Sequence, residues 1–194
     1  MSGANHLGGT SLRHRALGAA GRLIDRGGVE ALQLRAIAAE VDCGVASLYY
    51  HFANKEALLA ALAIEGWRDL AEQIERARAS GRFAHQIDAA STALLGFIRR
   101  SPRLHALMQT DPALAGHAGV REAEQQAFAA FRAALENDDR VPASRIDDVA
   151  RLFWVLARGI ASAVQVEADA AAADRLIQTV LRGFGFLLSP RYSG

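Results

Sequence analysis

From Asn54 onward, apolar residues recur at Leu59, Ala63, Trp67, Leu70, Ile74 and Ala77. A 3.6-residue repeat held over about 25 residues is the signature of one long amphipathic helix. No strand places its apolar side chains at that spacing. Elsewhere alanine is abundant, β-branched runs are absent and only 4 prolines occur in 194 residues, so the whole chain reads as all-α. Hydrophobic residues make up 51% and charged residues 22% of it, which supports a packed core and excludes an intrinsically disordered chain.

Residues 1–10, "MSGANHLGGT", are Gly-rich and polar and read as a flexible arm. They lack the apolar stretch of a secretion signal, and no later run has the length of a membrane span. The single Cys43 excludes an internal disulfide and fits a reducing compartment. A cytoplasmic location is expected.

Leu12, Ala16, Ala20, Leu23 and Ile24 form a first helical stripe, ended by Gly27-Gly28. Two short apolar segments follow, near 34–41 and 45–52, separated only by "DCG". Asp42 tolerates the left-handed conformation such a tight break needs, and Gly44 can open the next helix. Two short helices across a three-residue break make a helix-turn-helix shape. Asn54 then reads as an N-cap, with Glu56 well placed in the first turn of the long helix.

That helix should end near "SG" at 80–81. Further helices are expected around 87–98, between Pro102 and Pro112, and over 118–136. Ser144 and Asp147 have capping-box-like spacing at the start of another. It and the last, "DRLIQTVLRGFGFLL", are apolar on more than one face. Helices of that kind are buried from two directions, which argues for a partner subunit.

Over 12–65 the text "LRAIAAEV…SLYYHFANKEALLAALAIE" resembles the DNA-binding domain of TetR (tetracycline-repressor) family transcriptional regulators. Beyond it the chain matches the family only as a run of helices of suitable length. The resemblance implies a three-helix helix-turn-helix domain over 11–53 and a ligand-binding and dimerisation domain over 54–190, about nine helices in all. The function implied is a sequence-specific regulator, by family habit a repressor released by a small molecule. It would act as a homodimer through the last two helices on a near-palindromic double-stranded operator. Its two recognition helices would then stand roughly 34–36 Å apart.

In such a reader the first turn of the recognition helix meets base edges while flanking donors grip phosphates. Here Val45, Ala46 and Ser47 are that first turn, and the first two offer only apolar contact, as to a thymine methyl. Ser47, Tyr49, Tyr50 and His51 can donate to phosphate oxygens. Lys55, the only lysine beside 21 arginines, stands at the start of the next helix, where backbone N–H groups favour anions. Arg35 is the candidate for a guanine edge or a phosphate. Leu48 and Phe52 belong to the core. The sequence departs from the family habit at Gln33, Asp42 and Ser47, where Thr, Gly and Thr are common. Gln33 is a poor cap, so its helix should fray at the start. Residues 1–55 carry six Lys/Arg against four Asp/Glu, a modest basic surplus that a dimer doubles.

The segment "FWVLARGIASAVQVE" is similar to the Trp-x-x-x-His-Gly signature of one C-terminal subclass, called WHG, with Arg158 at the histidine position. What that half implies is an unknown small-molecule effector bound among Trp67, Leu70, Phe97, Arg103, His105, Met108, Phe128, Trp154 and Arg158. For the apolar members plain core packing is the competing role. Arg158, on an apolar helix, must be paired or solvated. No nucleophile is paired with a base, so no catalytic residue is assigned and an enzyme is not expected. His85, His105, His117 and Asp111 have no ligand spacing, so neither metal nor cofactor is expected. The rival reading is a ligand-sensing helical dimer whose DNA head is weak or silent.

Overall fold

The computed structural model describes residues 11–136, 138–166 and 169–187. The arm expected at 1–10 lies outside them, as do the residues beyond 187. Ten α-helices and two short 3-10 turns make up the described chain, without a strand among the described residues. One of the ten, Pro112–Ala115, is a single turn, against an expectation of about nine helices. Two compact units separate at Leu62/Ala63.

The first unit holds α1 (Leu12–Gly27), a 3-10 turn (Val29–Ala31), α2 (Leu34–Glu40), α3 (Val45–His51) and the start of α4 (Lys55–Ala79). Its punctuation is local. Ser11 accepts from the N–H of His14 at the head of α1. Gly28, at φ 72°, closes the same helix with its N–H on the Ile24 carbonyl at 2.7 Å. Asp42 takes φ 52° after α2, and the next N–H, of Cys43, reaches back to the Ala38 carbonyl at 3.0 Å. That is a Schellman closure with aspartate where glycine is cheapest. Gln33 gives α2 no side-chain cap, as its chemistry suggested, whereas Asn54 Oδ1 accepts from the N–H of Ala57 at 2.8 Å and caps α4. α1 packs on both α2 and α3 over a small core of Leu17, Ile24, Ile37, Leu48, Phe52 and Leu58, each at most 2% exposed.

The second unit continues α4 and adds α5 (Gln86–Arg100), α6 (Pro102–Thr110), α7 (Pro112–Ala115), α8 (Ala118–Arg132), α9 (Ile146–Val166) and α10 (Ala170–Leu187). α9 is the hub, packed on α5, α6, α8 and α10. Arg78, in the last turn of α4, donates to the carbonyls of Ala130 and Ala133 and so satisfies the orphan end of α8.

Boundaries that differ from the sequence reading include the start of α10, at Ala170 rather than Asp174, and two around the α8–α9 connection. α8 stops at Arg132 rather than 136, and α9 begins at Ile146 behind a 3-10 turn at Ala143–Arg145. The capping box of Ser144 and Asp147 does not form, because the Asp147 carboxylate is engaged by Arg132 at 2.6 Å. An ion pair between elements outcompetes the local cap there.

Candidate nucleic-acid interface and aromatic cluster

α3 is divided sharply between inside and outside. Leu48 is fully buried and Phe52, its C-cap, is 1% exposed, while Tyr49 and Tyr50 between them are 58% and 88% exposed. Ala46 and Ser47 are exposed, and Val45 and His51 half-buried. Two neighbouring tyrosines held outward by buried anchors form a surface with aromatic faces and hydroxyl donors, the composition of a contact site. The Tyr50 and His51 rings meet edge to face at 5.3 Å, and the Arg13 guanidinium lies 5.8 Å over Phe52.

Arg35 is exposed on the first turn of α2. Lys55, exposed at the first residue of α4, donates to the Val29 carbonyl at 3.3 Å, so the ammonium also ties α4 to the 3-10 turn. Arg22 and Arg26 are committed elsewhere. They close on Glu40 at 2.7 and 2.8 Å, clamping α1 to α2. The hydrogen bond from Arg22, with the charge of both guanidiniums, holds the Glu40 carboxyl below its ordinary pKa.

The second unit gathers most of the sequence-picked ligand candidates into one aromatic cluster. Trp67 stacks on Trp154 at 5.7 Å with the planes 23° apart. His105 stands edge-on to Trp67 at 5.9 Å and to Phe97 at 6.0 Å. Phe128 meets Trp154 at 5.4 Å. Met108 packs where a side chain on Gly66 would stand, its Sδ 2.6 Å from the position of a Cβ there. Leu70 is buried one turn beyond Trp67 on α4, Arg103 is half-buried in the first turn of α6, and Arg158 is exposed. The Arg158 guanidinium donates to the Gln109 carbonyl at 3.0 Å, so a backbone dipole rather than a carboxylate receives it.

Trp154 Nε1 donates to Glu124 at 3.3 Å. Trp67 Nε1, His105 Nδ1 and Gln109 Oε1 are buried without a hydrogen-bond partner. Burial, and secondarily the charge of Arg158, push the His105 pKa down from 6.5 to about 4. That imidazole is therefore neutral near pH 7.

Residues 16–62 match the family model described as "Bacterial regulatory proteins, tetR family". The N-terminal domain is similar to that of the TetR family. Solved structures with the same fold cover nearly all of the chain. A TetR transcriptional regulator from Legionella pneumophila shares 17% identity at TM-score 0.71, covering 93% of this chain and 98% of its own. SCO4454, a TetR-family transcriptional regulator from Streptomyces coelicolor, shares 24% at TM-score 0.69, covering 91% and 94%. A protein of unknown function from Rhodococcus sp. RHA1 shares 22% at TM-score 0.69, covering 93% and 97%. No curated protein matches significantly.

Three residues that sequence reading passed over turn out to matter locally. Gln109 sits one helical turn after His105 and contacts its Nε2 at 3.1 Å. The signal was present as a polar residue at i+4 on the face of α6 that carries His105. Glu40 clamps two arginines, and Gly66 makes room for Met108. His117, weighed as a metal ligand, caps α8 by accepting from the Val120 N–H at 3.4 Å. His85 does approach Asp138 and Asp139, at 3.9 and 3.8 Å. The Asp138 oxygens, however, already accept from Arg140 at 2.8 and 2.7 Å, which fits a structural ion pair better than a cation site.

Proposed function

We propose that this chain is a DNA-binding transcriptional regulator, a repressor that a small molecule releases from its operator. The observation that carries the reading is the outward pair Tyr49 and Tyr50, at 58% and 88% exposure, on a helix anchored by buried Leu48 and Phe52. Ser47, Arg35 and Lys55 supply hydroxyl and cationic donors beside them. Val45 and Ala46 make little hydrogen-bonded base contact, so sequence preference leans on Arg35 and on the shape of the duplex.

The homodimer forms through α9 and α10. Support comes from Leu152, Val155, Leu156 and Val166, which are 49%, 64%, 40% and 82% exposed on α9. With the small, exposed Gly159 and Ser162 they follow helical spacing along one stripe, and a stripe of that kind calls for a second surface. None of the described helices is long and apolar enough to cross a membrane. A regulator that reads DNA in this way works in the cytoplasm. Effector binding acts on α4, whose first turn carries Lys55 and whose later turns carry Trp67, with a coupling of about 1–3 kcal/mol.

Selection of bound duplexes from a random pool tests the reading, followed by comparison of the wild type with a Lys55→Ala plus Tyr50→Phe variant. An enriched inverted repeat that the variant binds poorly, with its dimer state unchanged, is the expected result. A pool without enrichment, or a variant that binds like the wild type, would replace it with the silent-head alternative.

A further inference from the structure

Building on the effector-responsive reading of the helical unit, we infer that its effector is an uncharged, largely apolar molecule. It carries one group that both donates and accepts hydrogen bonds, a hydroxyl or a carboxamide, read by Trp67, His105 and Gln109. The Trp67 and His105 side chains are fully buried and touch each other, and Trp67 Nε1, His105 Nδ1 and Gln109 Oε1 are all unpartnered. A buried polar atom left unpaired is costly, so three in one cluster mark a place prepared for a polar group.

The chemistry of that group follows from the His105–Gln109 contact, Nε2 to Nε2 at 3.1 Å. If the amide N–H donates to the imidazole, His105 Nδ1 is left a donor and Gln109 Oε1 an acceptor. If the amide is turned the other way, His105 Nδ1 is the acceptor and the glutamine nitrogen the donor. Either way the pair offers one donor and one acceptor, and the Trp67 indole adds a second donor. A hydroxyl, with one hydrogen and two lone pairs, satisfies all three, and so does a carboxamide. An ammonium has nothing to accept with. A carboxylate has nothing to give and would lose its hydration among aromatic rings.

The walls are apolar and one of them is adaptable. Trp154, Phe97 and Phe128 surround the polar trio. Met108, an unbranched thioether lodged in the space Gly66 leaves open, can re-pack around a guest. Arg158 stays outside, exposed and bonded to the Gln109 carbonyl.

Equilibrium dialysis of the full chain against 2-naphthol, 2-naphthamide, naphthalene and 2-naphthoate tests the inference. It is read together with the indole N–H resonances of Trp67 and Trp154, the only two tryptophans. The hydroxyl and amide probes should bind about tenfold tighter than the other two and move the Trp67 N–H resonance downfield. Gln109→Leu should bring 2-naphthol down to the affinity of naphthalene and leave naphthalene unchanged. Naphthalene binding as tightly as 2-naphthol, tightest binding of 2-naphthoate with loss in Arg158→Gln, a stationary Trp67 resonance, or no binding of either polar probe would each overturn it. Operator binding, measured separately on selected DNA, reports on the regulator reading, so either idea can fail without the other.

Discussion

His105 stands edge-on to Trp67, the ring centroids 5.9 Å apart and the planes at 67°, with neither side chain exposed to solvent. An imidazole in that position stays neutral because a proton on it would be a charge without water. Stability should therefore depend on acidity in part through this ring.

The sign is fixed by which state binds the proton. Between pH 6.5 and about 4 the unfolded chain takes up a proton at His105 that the folded chain refuses. Stability is full above pH 6.5, and about 3 kcal/mol is lost as the pH falls through that window. Thermal melts across it should show Tm falling in the wild type and a flatter profile in His105→Phe. An identical slope in the variant would remove His105 as the cause. Losses from Asp138 and Glu40, whose pKa values are lowered, belong to more acidic solutions, below the ordinary carboxylate range.

Arg140→Gln should destabilise by about 3 kcal/mol at neutral pH, because it strands the Asp138 carboxylate. That side chain has no exposure, against 18% for Arg140. Burial works to raise its pKa, and the hydrogen bonds and charge of Arg140 more than reverse this. Urea denaturation of the single variant and of Arg140→Gln with Asp138→Asn measures the effect. The double variant should recover much of the loss, and an undiminished deficit would mean the pair is not the reason.

Asp42→Gly should stabilise the N-terminal unit by about 1 kcal/mol. The backbone there sits at φ 52°, a region a β-carbon disfavours and glycine accepts freely. A calorimetric Tm at or below that of the wild type would count against it.

Gly66→Ala should cost about 1–3 kcal/mol, since the new methyl would stand 2.6 Å from Met108 Sδ. Met108→Ala in the same chain should return part of that loss. Two losses that simply add would show the two sites to be independent.

Lys55→Met should lower operator affinity alike for all sequences and reduce the slope of log K against log salt by about one. Tm should move little, since the Lys55 to Val29 contact at 3.3 Å is exposed. A change in sequence preference without a change in slope would assign Lys55 to bases rather than phosphate.

The N-terminal unit was legible because its boundaries are local. Gly28 and Asp42 take the positive φ their residue types permit, and Asn54 caps the helix it precedes. The aromatic candidates Trp67, Phe97, His105, Phe128 and Trp154 were legible as a set, since helical spacing and burial go together. What sequence could not give was set by partners distant in the chain. Arg132 draws Asp147 away from the cap it seemed suited for. Gln109 gains meaning only once His105 is buried beside it, and Gly66 only once Met108 is lodged against it. Such choices belong to packing, and no local pattern records them.

A chain with a single ε-amino group, exposed at Lys55, has one side-chain target for acylating reagents. Conjugation there yields one product rather than a mixture, apart from the α-amine. A fluorophore attached at that atom turns the head into a reporter, and shielding of the amine by duplex would be read directly as slower labelling.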